Sequence, residues 1–348
     1  MSIPSEPIGS LPRTPDVLNA MSGGDSTALA KAVDVAVRES VEALEAAGSP
    51  VADGDQAKAG AWTYPFDGAD HLDPDGVAVP YADGHQRRLP SLAEGPFRYR
   101  THAEQYLRAA QKYATVPVKQ AVAAPSALSL LYPPSGIAGY PREQFVADLL
   151  DEAERDVRGC LDAGAHRVQL DLEVARLSLK LDPSGGVLEQ FVELDNQLLA
   201  RFSEAERARI GVHTGPGGDR HSTHSLDVDY AGLLPQLFRL TVGNFYLQLA
   251  SEPDPERVLS LVAQQLRPGI RVFVGVTDPT DPRVESAEQV RDRVLLAARH
   301  IPVDQLGTCD DTGFAPYADD RSTSRETALA KIRARLRGTA LAAAQLGV

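Results

Sequence analysis

The length, composition and charge of the chain restrict its class. Its 348 residues are 43% hydrophobic and carry a formal net charge of -13 at pH 7. This length suffices for a large core and lies near the upper range of one α/β-barrel domain, so we expect a single domain over residues 1–348. The acidic excess argues against a nucleic-acid-binding surface, because phosphate backbones are bound by clustered Lys and Arg. A small-molecule substrate fits better.

Cysteine content and the N-terminus bear on the compartment. Cys160 and Cys309 are the two cysteines, so no disulfide framework is implied. Cys160 lies in a helical run, where a small buried apolar residue is expected. Residues 1–6 lack the features of a signal peptide, and no run of about 18 apolar residues occurs. We expect a cytoplasmic protein without membrane contact, and the sequence leaves a homo-oligomer open.

Short apolar runs rich in Val, Ile and Leu alternate with amphipathic stretches. This alternation is typical of parallel βαβ units. The runs that qualify as strands are residues 8–11, 50–52, 116–123, 167–172, 209–212, 244–249, 271–276 and 305–308. Eight strands of this kind predict an α/β fold with a single (β/α)8 TIM barrel.

Capping residues mark several of the intervening helices. Ser26 opens a run that ends at Gly48, and Pro141 opens one that ends at Gly164. These residue types match the preferences of helix starts and ends. A last amphipathic helix is predicted over residues 324–346. We expect its basic residues to form a solvated face, and they are Lys331, Arg333, Arg335 and Arg337.

Residues 57–115 are too long for an ordinary connection after the second strand. The segment contains Trp62 in an aromatic stretch and a polar stretch over residues 67–84. Long insertions in barrels often serve as lids or substrate walls, so we expect this one to fold over the barrel mouth. Alternatively, the segment could be a simple surface insertion, or it could form a contact between subunits.

Polar residues that follow the predicted strands are candidates for chemistry, because barrel enzymes place their active sites at the C-terminal ends of the strands. From them, and from the loop after the fifth strand, we predict the catalytic residues His213, Glu252, Asp171 and His224. The predicted substrate-binding residues are Ser10, Arg13, Asp55, Gln56, Trp62, Gln120, Asp278, Asp310 and Asp311. Any Asp at a strand end can instead cap the next helix.

Three side chains at the ends of different strands could meet around a metal ion. His213, Glu252 and Cys309 offer an imidazole, a carboxylate and a thiolate, all of which bind zinc. His221 and His224, in the Gly-rich loop 214–224, could add a ligand or hold substrate. The alternative is that these histidines are only hydrogen-bonded loop residues. The loop lacks the pattern of a P-loop or a dinucleotide fingerprint, so we expect no nucleotide site.

The strand-end blocks resemble those of a known family. IGSLPR at residues 8–13 resembles the Ile-Gly-Ser-Phe-Pro signature of the catalytic barrel of cobalamin-independent methionine synthases. Blocks that resemble later motifs of the family, in order, are VADGDQ at 51–56, QLD at 169–171, VHT at 212–214, QLASE at 248–252 and PRV at 282–284. The resemblance spans nearly the whole chain as one barrel, without the additional N-terminal barrel of the long enzymes.

The resemblance implies a zinc ion held by a His, a Cys two residues later, a Glu and a second Cys. His213 and Glu252 match, but Gly215 and Thr312 occupy the two cysteine positions. Cys309, His221 or His224 would have to substitute. A site richer in N and O ligands binds zinc less strongly. A family His after the seventh strand is likewise replaced, by Thr280. We therefore predict an altered metal site in which zinc is doubtful.

Our first hypothesis is a methyl- or alkyltransferase acting on a small thiol or amine. His213 and Glu252 would form its polar centre, and Asp55 and Asp171 would hold an amine-bearing substrate. The resemblance implies homocysteine as acceptor and a methylated folate as donor. Zinc in the family favours the thiolate of the acceptor.

Two further hypotheses remain. One is a metal-independent or non-zinc lyase, hydrolase or decarboxylase that uses His213 or His224 beside Asp310 and Asp311 as acid–base groups. The related uroporphyrinogen decarboxylase barrels suggest it by analogy. The other is a non-catalytic protein that binds a small ligand in the same pocket. A transferase needs donor and acceptor together, a lyase needs one substrate, and a binder shows no turnover.

Overall fold

One parallel sheet forms the centre of the computed structural model, which describes residues 2–58 and 60–348. Its seven strands lie side by side in chain order. They are Ala52–Asp53, Val118–Ala123, Val168–Asp171, Ile210–Thr214, Asn244–Leu247, Arg271–Thr277 and Leu306–Asp310. All six pairings are parallel. This is a TIM-barrel-like α/β fold, and it confirms seven of the eight predicted strands.

Helices connect successive strands of the sheet. The α-helices are Pro15–Gly23, Ser26–Ala46, Glu104–Gln111, Pro125–Leu128, Arg142–Asp162, Val174–Leu181, Gly186–Leu199, Glu204–Arg207, Tyr230–Leu237, Pro255–Gln265, Ala287–Ala297 and Arg325–Leu346. Short 3-10 helices are Asp55–Ala57, Ser129–Leu131 and Val303–Gln305. Short antiparallel pairs are Leu72–Asp73 with Ser91–Leu92, Ala78–Pro80 with Gln86–Arg88, and Gly218–Asp219 with Ser222–Thr223. Over residues 2–58 and 60–348, no helix is long and apolar enough to cross a membrane.

The strands are buried along most of their length because helices and loops cover both faces of a parallel sheet. Every residue of Val118–Ala123 and of Ile210–Thr214 is buried. Burial of one Val or Leu side chain stabilises the fold by roughly 1.5–3 kcal/mol. The apolar runs therefore fix the sheet, and the polar residues that follow each run come to lie together at one end of it.

Two long helices follow the predicted caps closely. The helix Ser26–Ala46 begins after Asp25, whose carboxylate accepts hydrogen bonds from two backbone N–H groups at 2.9 and 3.1 Å. The cap is thus one residue earlier than predicted. Gly48 and Gly164, after this helix and after Arg142–Asp162, have φ of 84° and 83°. Glycine adopts this left-handed conformation without steric penalty, which explains both stops.

The predicted first strand at residues 8–11 is wrong. Ser10 has a φ of 55°, in the left-handed region that interrupts extended chain. The N-terminal segment instead pairs earlier, through a single parallel bridge between Ser5 and Thr308. The hydrogen bonds that flank this bridge measure 2.9 Å. The eighth strand is therefore reduced to one bridge, and the turn that follows brings Ser10 to Asp55.

The last helix does not present all its basic residues to solvent. Two of the four predicted surface residues, Lys331 and Arg335, are fully buried. Lys331 Nζ lies 2.9 Å from a Glu285 carboxylate oxygen, and Arg335 donates to Asp310 at 2.8 Å. Because a buried charge requires a counter-charge, part of the face that the sequence assigned to solvent instead forms ion pairs. One pair joins the helix to the segment after the sixth strand, and the other joins it to the seventh strand.

Candidate active site

A cavity of about 50 Å³ lies at the C-terminal ends of the strands. Its polar lining consists of Ser10, Asp55, Asp171, Glu173, His213 and His224, and its aromatic lining of Trp62, Tyr81 and Tyr317. An enclosed water needs about 10–15 Å³ of such space, so the cavity suits a compact group. The predicted residues Ser10, Asp55, Trp62, Asp171, His213 and His224 thus do come together.

His213 projects from the fourth strand between two acceptors. Its Nδ1 lies 3.4 Å from Asp171 Oδ1, and its Nε2 lies 3.2 Å from the carbonyl oxygen of Asp311. Burial disfavours the charged ring, but the carboxylates of Asp171 and Glu173 and the Asp311 carbonyl outweigh burial and raise the pKa of His213. The imidazolium form of His213 is therefore more favoured here than in a free histidine.

Glu173 lies at the start of the helix that follows the third strand. Its Oε1 accepts a hydrogen bond of 2.5 Å from the Thr312 hydroxyl. Burial raises the pKa of this carboxyl, although His213 and Thr312 oppose the shift. A carboxyl with a raised pKa exchanges protons more readily near neutral pH, as general acid–base catalysis requires. Glu173 is not among the site residues predicted from the sequence.

Asp55 also lines the cavity. Its carboxylate pairs with the buried Lys58 ammonium and accepts weaker hydrogen bonds from Ser10 and Gln120, both at 3.4 Å. Burial raises the pKa of Asp55, and Lys58 opposes the shift. Because Lys58 already balances this carboxylate, Asp55 is less available to a substrate amine than predicted.

His224 lines the cavity from the Gly-rich loop. Its Nδ1 lies 2.6 Å from the Ser225 hydroxyl, and its ring meets that of Tyr81 edge to face. Burial, followed by the charges of Lys180 and Arg176, lowers the pKa of His224 to about 4. This ring is therefore neutral at pH 7, and its pKa is shifted in the opposite direction to that of His213.

The predicted metal ligands do not converge. Cys309 Sγ donates to the Phe273 carbonyl at 3.6 Å within an apolar cluster, and Glu252 Oε1 is bound by Arg176 at 2.6 Å. Within residues 2–58 and 60–348, no group of three His, Cys, Asp or Glu is placed to hold a metal ion. The prediction of a site formed by His213, Glu252 and Cys309 is wrong, because the guanidinium already neutralises the carboxylate and the thiol lies in the core.

The two positions where the resemblance places thiolates do meet beside His213. A Cβ at Gly215 would lie 3.5 Å from His213 Nε2 and 3.5 Å from Thr312 Cβ. His221 does not compensate, since its Nε2 lies 3.0 Å from the Thr323 hydroxyl. The residues present therefore do not fit a zinc ion.

Six of the predicted substrate-binding residues do not line the cavity: Arg13, Gln56, Gln120, Asp278, Asp310 and Asp311. They make internal contacts instead. Asp311 accepts three backbone hydrogen bonds of 2.7–2.9 Å from residues 249–251 and so holds the loop after the fifth strand. Gln56 binds Asp53 at 2.8 Å, and Arg13 donates to the Lys58 carbonyl at 2.6 Å.

The predicted insertion supplies part of the cavity wall, from residues 61, 62, 79, 81 and 89. Its residue Ala59 lies outside the described part of the chain. Arg87 fastens the segment to two loops, donating to both carboxylate oxygens of Asp219 at 2.6 and 3.1 Å and to Asp319 at 2.9 and 3.0 Å. Its guanidinium also lies 4.1 Å from the Tyr317 ring centroid. We call Arg87, Asp219 and Asp319 the Arg87 clasp.

Replacing Arg87 with Met is expected to loosen the segment over residues 77–92. Loss of the Arg87 clasp removes a partly exposed network worth about 1 kcal/mol, so local opening becomes faster. Hydrogen exchange read by mass spectrometry measures it. The matched control is Arg88→Met on the same hairpin, since Arg88 is exposed and lies 3.7 Å from an exposed carboxylate, that of Asp75. Equal exchange in the two variants would contradict the clasp.

Sequence reasoning missed Arg176, Tyr81 and Tyr317. Arg176 stands three residues after Glu173 on the helix behind the third strand, and this closeness to a strand end was the available signal. Tyr81 and Tyr317 carry no comparable signal, because a tyrosine in a long irregular segment has no period that assigns its face.

Comparison with known proteins places the fold. The sequence matches no family model and no curated protein. A B12-independent methionine synthase from Shewanella sp. W3-18-1, solved in complex with selenomethionine, has 18% identity and a TM-score of 0.79, with 99% of each chain covered. A Listeria monocytogenes protein described by the same family name has 20% identity and a TM-score of 0.70, with 98% of each covered. A methyltransferase from Methanosarcina mazei has 11% identity and a TM-score of 0.56, with 98% of this chain and 94% of that one covered. The chain therefore has the fold of the B12-independent methionine synthases, as the sequence resemblance implied.

Proposed function

We propose that the chain is a methyl- or alkyltransferase that acts on a small thiol or amine. The observation that carries the proposal is the cavity at the strand ends, in which Asp171, Glu173 and His213 meet. The neighbour solved with selenomethionine supports a substrate the size of an amino acid. We also propose that residues 1–348 act as one cytoplasmic barrel domain, with residues 57–115 as the cover of its mouth.

The chain's own residues would activate the acceptor. Zinc does not fit, so proton removal from a thiol falls to Glu173, whose raised pKa suits that role. Asp171 would keep His213 charged, and the imidazolium would stabilise the thiolate that forms. Exclusion of water by the cover would strengthen both interactions.

Methyl transfer to homocysteine tests the proposal. Methionine formation is followed by mass spectrometry with a methylated folate or a methylsulfonium donor, and with each substrate alone. Product should require donor and acceptor together, and His213→Asn and Glu173→Gln should each lower kcat by about 100-fold. His221→Asn is the matched control outside the cavity. No product with either donor, or undiminished kcat in both variants, would refute the proposal.

A metal-independent lyase, hydrolase or decarboxylase is the second candidate. It is favoured by the pairing of Glu252 with Arg176, which removes a carboxylate from any metal site. Its acid–base groups would be His213 and Glu173, because Asp310 and Asp311 are held by internal contacts. Turnover of one substrate without a donor would establish this candidate in place of the transferase.

A further inference from the structure

The charged side chains in and around the cavity do not sum to zero. Asp55 pairs with Lys58, and Asp171 faces the His213 ring, so these four groups form two oppositely charged pairs. Glu173 accepts a hydrogen bond from a neutral hydroxyl, and among the described residues it has no ion-pair partner within 4 Å; the His213 ring, which Asp171 already faces, acts on it only from a longer distance. One negative charge therefore faces the cavity without a direct counter-charge.

Part of the cavity wall is aromatic. Trp62, Tyr81 and Tyr317 line the cavity, and the two tyrosine hydroxyls lie 3.4 Å apart. Arg87 covers one face of Tyr317 and His85 stacks on Tyr81, but neither of these covering groups lines the cavity. Aromatic rings attract compact organic cations through the negative charge on their faces.

A second observation also points to a ligand. His213 is 1% exposed and lines the cavity, and its Nδ1 has no hydrogen-bond partner of good geometry among the described residues. A buried donor left without a partner is costly, so a ligand that carries an acceptor beside its charge would complete this site.

We propose that the cavity binds a compact organic cation, an alkylammonium or a sulfonium, with its charged centre between Glu173 and the rings of Trp62, Tyr81 and Tyr317. This inference rests on the proposed function and names the substrate class of the same site. An uncharged molecule of the same shape would leave the Glu173 charge unbalanced. Choline carries both a trimethylated cation and a hydroxyl, and so serves as the probe.

Calorimetric titration of the whole chain tests the inference. Choline should bind at least about tenfold more tightly than 3,3-dimethylbutan-1-ol, its uncharged isostere. Trimethylsulfonium should compete with it. Glu173→Gln and Tyr81→Leu should each weaken choline binding by about tenfold, whereas Glu94→Gln, which removes an exposed carboxylate, should not. The comparison of the two ligands on the unmodified chain does not depend on any variant folding.

Each outcome is decisive for the inference. Equal binding of choline and its isostere, absence of saturable choline binding, or equal effects of Glu173→Gln and Glu94→Gln would overturn it. Methionine formation without binding of either cation would overturn it and leave the proposed transferase standing. Cation binding without transfer to any acceptor would overturn the transferase alone.

Discussion

Arg176→Met is expected to lower the free energy of unfolding by about 3–5 kcal/mol. The side chains of Arg176 and Glu252 are 1% and 7% exposed, and the guanidinium donates to the carboxylate at 2.6 Å. The same guanidinium binds the backbone carbonyls of Leu226 and Val228. Met keeps most of the side-chain volume but leaves Glu252 buried without its counter-charge. Urea denaturation measures the loss.

A double-mutant cycle separates this charge effect from packing. Glu252→Gln removes the carboxylate charge while keeping its shape, so the double variant Arg176→Met/Glu252→Gln should recover about half or more of the lost stability. If the free energy of unfolding of the single Arg176→Met variant lay within about 1 kcal/mol of that of the unmodified chain, the ion pair would not stabilise the fold as described.

The ion pair between Arg176 and Glu252 also affects whether the site can bind a metal ion. A cation that binds only the folded state raises the melting temperature of the protein, and the rise is larger the more tightly the cation binds. Since the Arg176 guanidinium already holds Glu252, and Gly215 and Thr312 contribute no thiolate, we expect added zinc to leave the melting temperature unchanged. A zinc-dependent rise that His213→Asn abolishes would show that the residues rearrange into a metal site.

The sequence predicted those site residues whose placement follows from local order. Asp55, Asp171 and His213 lie at or just after apolar strands, and parallel strands bring such residues to one end of the sheet. The left-handed turn at Ser10 was not predictable in this way, because a non-glycine residue in that conformation carries no sequence signal. The turn at Ser10 is the reason why the predicted first strand does not form.

The main failure of sequence reasoning was that it did not identify which residues pair with the buried charges. Glu252 and Arg176 are separated by 76 residues, and Arg335 and Asp310 by 25. Neither separation matches a helical or strand period, so composition and periodicity do not predict the pairing. An Arg in an amphipathic helix is usually solvated, which is why Arg335 was assigned to the surface. Three-dimensional packing decides which carboxylates remain free for a ligand.

Asp195→Asn is expected to stabilise the protein at pH 8 and to have little effect near pH 4. Asp195 lies fully buried in the helix Gly186–Leu199. Its carboxyl group accepts hydrogen bonds from the Ser126 N–H and hydroxyl at 3.0 and 2.8 Å. Burial raises the pKa of Asp195 to about 7, although both hydrogen bonds oppose the shift. Asn keeps the acceptor for the Ser126 N–H and carries no charge.

The sign of this effect follows from proton binding. The unfolded chain loses the Asp195 proton near pH 4, whereas the folded chain keeps it to about pH 7, so the folded state binds more protons between these values. Stability therefore falls as pH rises through this window, by at most about 4 kcal/mol for a shift of this size. The Asn variant has no such loss, so its advantage over the unmodified chain should grow from pH 4 to pH 8 in urea denaturation. Glu193→Gln, an exposed site on the same helix, should show no such growth. A difference between the Asn variant and the unmodified chain that stays constant with pH would mean that Asp195 is already ionised in the folded state.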